Sequence, residues 1–136
     1  MIDYYLEKPY WVIDILPKQV PENSRGQYFK IEKFFLSQPQ YDIICKKFIN
    51  ILMKLNCYDD IEVYHDTEGR TVNPLPEALR DWIQERKPIY VVLKSSDAMI
   101  SISGDDHYMT LYNPDKELLE LVRTIATSEG LFVWKP

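Results

Sequence analysis

Glycine is scarce in this chain of 136 residues: Gly26, Gly69, Gly104 and Gly130 each stand alone at an apparent break between segments. A phosphate-cradling loop needs several backbone amides exposed at short glycine spacing, so the common nucleotide-binding loops are excluded. Histidine is scarcer still, with only His65 and His107, which leaves few groups able to exchange protons near neutral pH. Two cysteines, Cys45 and Cys57, are too few for a disulfide framework and lack CxxC spacing. Cys45 shares a helical face with apolar neighbours and is expected to be a small buried hydrophobe.

There is no excess of basic charge. The net charge is −5, with 8 basic and 11 acidic residues over 1–68 and 8 and 10 over 69–136. Neither half is a basic arm, so nucleic-acid binding and docking on an anionic membrane have no electrostatic footprint. No apolar run approaches the roughly 20 residues a membrane span requires, and Met1 to Pro9 carry acids where a signal peptide needs a positive region. A cytoplasmic protein without membrane contact is expected, and a charge-steered partner would be basic.

What is present is apolar and aromatic. Apolar residues make up 46% of the chain, enough for one core, and a domain of this size buries roughly two thirds of its unfolded surface. A single α+β domain over 1–136 is therefore expected. Aromatics make up 13% of the chain, and ten of them are tyrosine, a residue that combines contact area with a hydroxyl tolerant of water.

The run 10–16 is β-branched and aromatic between Pro9 and Pro17, which predicts a strand. Ser24 and Gln27 have capping-box spacing ahead of 28–36, where the apolar positions fit a helix or a strand almost equally and a helix is the expectation. Ser37 and Gln40 repeat that spacing before the clearest helix, in which Tyr41, Ile44, Cys45, Phe48, Leu52 and Leu55 recur at three and four residues. Residues 61–65 alternate as a strand, closed by a turn at 66–69. A further helix is predicted over 77–86, with Leu75, Leu79, Trp82 and Ile83 on one stripe.

Three β-like runs follow, 89–94, 98–103 and 107–112, joined by links so short that antiparallel neighbours are forced; residues 88–112 should form a meander. Asn113, Pro114 and Asp115 offer a cap, a first-turn proline and an early acid for a helix ending at Gly130. The run 131–134 reads as a last strand, placed at an edge where it can pair with a second copy in a homo-oligomer. The expectation is an antiparallel or mixed sheet of about five or six strands, three or four helices packed mainly on one face, and a C-terminal meander-helix-strand. Alternation turns Ile89, Val91, Leu93, Ile100, Ile102, Met109 and Leu111 toward the helices. The other face then carries Tyr90, Val92, Met99, Ser101, Ser103, Tyr108, Thr110 and Tyr112.

Candidate chemistry is thin. His65, Asp66, Asp106 and His107 would suit a divalent transition metal if the two turns that carry them met in space, but acids at strand ends also serve ordinary turn chemistry. Residues 66–69 lack the donor ladder of a calcium loop. No GxSxG elbow places a serine nucleophile, and a Cys57–His65 pair competes with Cys57 simply ending the long helix. The acids Asp59 and Asp60 read as a loop between helix and strand.

The leading expectation is a non-catalytic, protein-binding module without cofactor. Its interface candidates are Tyr90, Ser101, Ser103, Tyr108, Thr110 and Tyr112, and its size and charge match those of small acidic inhibitor or immunity proteins that neutralise basic toxins. Two alternatives stand beside it. One is a small metal-dependent hydrolase using His65 and His107, and the other is a small-molecule-binding sheet lined by residues such as Val92 and Met99.

Overall fold

A computed structural model describes residues 1–65 and 69–136. The chain begins with a five-residue helix, α1 (Ile2–Leu6), and a strand, β1 (Tyr10–Asp14). A single 3-10 turn at Glu22–Ser24 runs straight into α2 (Arg25–Phe35), and α3 (Gln40–Asn56) follows. Next come β2 (Ile61–His65), β3 (Arg70–Val72) and α4 (Pro76–Gln84). The meander is β4 (Ile89–Leu93), β5 (Ala98–Ile102) and β6 (Tyr108–Tyr112), and α5 (Lys116–Ser128) and β7 (Phe132–Trp134) complete the chain.

The seven strands form one antiparallel sheet in the order β3-β2-β4-β5-β6-β1-β7. The α+β class and the meander hold, and the last strand does lie at an edge. The expected count fell short by β3 and by α1, both too short to leave a periodic signal. Sheet and helices enclose one main core. α3 contributes Tyr41, Ile44, Cys45, Phe48, Ile49, Ile51, Leu52 and Leu55, all buried, of which each Ile, Leu and Phe is worth roughly 1.5–3 kcal/mol when fully buried. Against them lie the helix-side residues of the strands, including Ile13, Val63, Ile89, Val91, Ile100, Met109 and Leu111.

Two expected helix caps are not made. Ser24 gives α2 no side-chain cap because the 3-10 turn already leads into it. Ser37 donates its hydroxyl backward to the Lys33 carbonyl at 2.6 Å, leaving Pro39 at the start of α3. At α5 the cap is Asp115 rather than Asn113: its carboxylate accepts from the Leu118 amide at 2.8 Å. Gly130 ends that helix at φ +76°, a left-handed turn that glycine makes without steric cost.

On the opposite face of the sheet, α1 lays Tyr5 over Val92 and Met99 to form a second, small core edged by Ile2, Tyr64, Tyr90 and Tyr112. Tyr5 also donates its hydroxyl to Asp97 at 3.2 Å. α2 is different from the other long helices, for none of its residues is buried. Among the described residues, no helix is long and apolar enough to cross a membrane.

Candidate functional site

The meander brings the six sequence-derived interface candidates to one place. Tyr90, Ser101, Ser103, Tyr108, Thr110 and Tyr112 are all half-buried, and all six line a single groove of about 180 Å³ on the face turned away from α3. Register explains the convergence: Tyr90 sits opposite Ser101, and Ser101 opposite Thr110, so alternation places all three on the same side. Leu6 of α1 closes one part of the groove and Asp106 another. Burial, more than anything else, raises the Asp106 pKa above the usual carboxylate value; Asp105 and Glu32 add to the rise and His107 opposes it. No lysine or arginine pairs with Asp106 among the described residues.

Beyond the groove, past Tyr108, Thr110 and Tyr112, the same face opens into a cleft of about 460 Å³ over β1, β6 and β7. It is also lined by Lys18, from the segment between β1 and α2, and by Arg25, the first residue of α2. Its lining includes Asp14, Tyr28 and His107, which are joined by hydrogen bonds. The His107 ring is 2% exposed; its Nδ1 donates to Asp14 Oδ1 at 2.8 Å, and its Nε2 lies 2.7 Å from the Tyr28 hydroxyl. Tyr28 in turn donates to Glu32 Oε2 at 3.0 Å, which leaves its oxygen able to accept from Nε2–H, the arrangement suited to an imidazolium carrying both protons.

The energetics agree with that assignment. Burial pushes the His107 pKa down, but the hydrogen bond and charge of Asp14, with the charge of Glu32, outweigh it and raise the pKa. Burial, then the hydrogen bond to Glu32, raises the pKa of the Tyr28 hydroxyl well above its usual value. Chemically this is a clamp. With both ring nitrogens committed and the ring enclosed, His107 has no lone pair free to accept a substrate proton or hold a metal ion.

The expected metal set is not assembled. His65 stacks on Trp82 of α4 with ring centroids 3.9 Å apart. β2 is three strand spacings from β6, roughly 14 Å at the usual spacing between strands, so His65 and His107 do not meet. Asp66 lies outside the described residues, as does most of the turn at 66–69 read against a calcium loop. Among the described residues, no group of three or more His, Cys, Asp or Glu side chains is placed to hold a metal ion.

Other acids and thiols have structural work. Asp59 accepts from the Ser95 amide and the Ser96 hydroxyl, and Asp60 accepts from Asn73. Cys57 closes α3, and Cys45 lies on the buried face of that helix. Val92 and Met99, expected to line an open apolar cup, are covered by Tyr5.

Asp14, Tyr28, Glu32, Lys18 and Arg25 were not legible as site residues. Asp14 did carry a signal, as a lone acid inside an apolar strand between Ile13 and Ile15. Such a position implies a buried partner. The chain matches no protein-family model, no curated protein and no solved structure.

Proposed function

We propose that the protein is a non-catalytic recognition domain, and that its groove on the face of β4, β5 and β6 binds a basic partner protein through an inserted arginine or lysine side chain. The observation that carries this reading is the groove itself. One half-buried carboxylate, Asp106, lines it without a lysine or arginine partner among the described residues, beside hydroxyls and tyrosine rings. A cationic side chain would meet a carboxylate that no lysine or arginine holds among the described residues, hydroxyl acceptors and the rings of Tyr90 and Tyr108. The net charge of −5 would steer such a partner toward the surface.

Support for binding rather than turnover comes from His107, whose two nitrogens are taken. The free thiols Cys45 and Cys57 fit the reducing cytoplasm in which this reading places the protein. The free side of β7 at the sheet edge offers a route to pairing with a second copy, which sedimentation across concentrations would detect.

The test is capture of basic partners followed by measured affinity for the wild type and for Asp106→Lys. Charge reversal in the groove should weaken binding by about tenfold or more, without lowering the thermal midpoint. Equal affinity for the two proteins would refute the reading.

A further inference from the structure

The large cleft over β1, β6 and β7 differs in chemistry from the groove beside it. Its volume, about 460 Å³, falls in the range of roughly 300–1,000 Å³ typical of small-molecule sites. Aromatic rings wall it: Tyr10 and Tyr112 stand with ring centroids 5.8 Å apart and planes tilted by 45°, and Trp134 lies across β1, where its register partner Val12 also lines the cleft.

Charge is the second observation. Lys18 and Arg25 both line the cleft, and neither has a hydrogen-bond or ion-pair partner among the described residues. Among the described residues Asp14 is the one acidic side chain in the lining, and it is bound to His107. In a protein of net charge −5, this cleft therefore presents two cationic side chains that no acidic side chain in its lining pairs with among the described residues. Apolar ring surface within and free cations at the edge define complementary halves of one ligand.

We propose that the cleft binds a small planar aromatic molecule bearing a single carboxylate or phosphate group. The ring of the ligand packs over Val12 among Tyr10, Tyr112 and Trp134, where offset or edge-on aromatic contacts are available. Its anion faces Arg25, whose planar fork can hold two oxygens at once, and Lys18, which adds a mobile point charge. This site stands apart from the partner-binding groove in its deciding residues: Asp106 defines one and Arg25 the other, so each idea can fail without the other.

The test is a nuclear magnetic resonance titration with indole-3-carboxylate, phenyl phosphate and uncharged indole. Only three tryptophans are present, so the indole N–H signal of Trp134 is an assignable reporter. At least one of the two anions should shift that signal saturably and bind about tenfold tighter than indole. The double variant Lys18→Ala/Arg25→Ala should lose about tenfold or more in affinity, while Lys46→Ala, on α3, should change nothing. Both cations are exposed, so an unchanged thermal midpoint will show that the double variant is folded. Failure of both anions to bind at millimolar concentration, or binding that ignores their charge or the two substitutions, overturns the proposal.

Discussion

Asp14 and His107 lie 93 residues apart in sequence, yet their side chains meet at 2.8 Å, each almost wholly enclosed. Asp14 closes β1 and His107 directly precedes β6, so the pair fastens two neighbouring strands at one end. Through Tyr28 and Glu32 it also fastens α2, a helix with no buried residue of its own.

Removing one partner should therefore be costly. Asp14→Ala leaves an imidazolium buried without its counter-charge, and a loss of about 3–5 kcal/mol is expected in urea unfolding. His107→Ala should cost a similar amount, and the double variant less than the sum, with a coupling of about 1–3 kcal/mol. Strict additivity would mean that the pair does not act as a unit.

A pH dependence follows with a definite sign. The folded pKa of His107 is raised, above an unfolded value of about 6.5. Its contribution is complete below that pH and is lost as pH rises through the folded value, where the folded state must give up a proton it holds tightly. Denaturant melts at several pH values should show the wild type losing its stability advantage over His107→Gln as pH rises from about 6.5. An advantage that grows with pH would show that the folded ring is neutral.

How far this was legible in the chain depends on the range of the interactions. Strict alternation in 89–112, joined by short links, revealed both faces of the meander and hence the groove residues. The three- and four-residue recurrence from Tyr41 to Leu55 likewise revealed α3, since a helix buries what its period aligns. The clamp was not legible, because bringing Asp14 to His107 requires β1 to pair with β6, a contact that no local pattern encodes. The pairing of His65 with His107 failed for the same reason: their turns look equivalent locally, but β4 and β5 lie between their strands. Capping boxes at Ser24 and Ser37 were overruled by the turn and the helix end that precede them.

Gly104 is required by close packing. A Cβ added there would meet the Arg86 backbone and lie 2.7 Å from both Cβ and Cγ of that side chain. Arg86 cannot easily yield, since it donates to the Gly104 carbonyl at 3.0 Å and lies 4.3 Å from the centre of the Tyr41 ring. Gly104→Ala should lower stability by about 1–3 kcal/mol in chemical denaturation. A neutral result would mean that the loop shifts freely.

Tyr5 anchors α1. It is 6% exposed over Val92 and Met99, and a five-residue helix has little stability of its own. Tyr5→Ala should release α1 at a cost of about 1–3 kcal/mol, less than for a residue of the main core because local undocking limits the loss. Increased binding of an apolar dye should accompany it, from the uncovered Val92 and Met99. Unchanged dye binding would show that α1 stays in place without its anchor.

The central claim is that the face of β4, β5 and β6 exists to receive a partner's cationic side chain. Hydrogen–deuterium exchange on the protein, alone and saturated with a purified basic partner, tests it most directly. Protection should centre on residues 99–112, and Asp106→Lys should need about tenfold or more partner to reach the same protection. Protection confined to α3 and α4, with that variant binding as well as the wild type, would contradict the account.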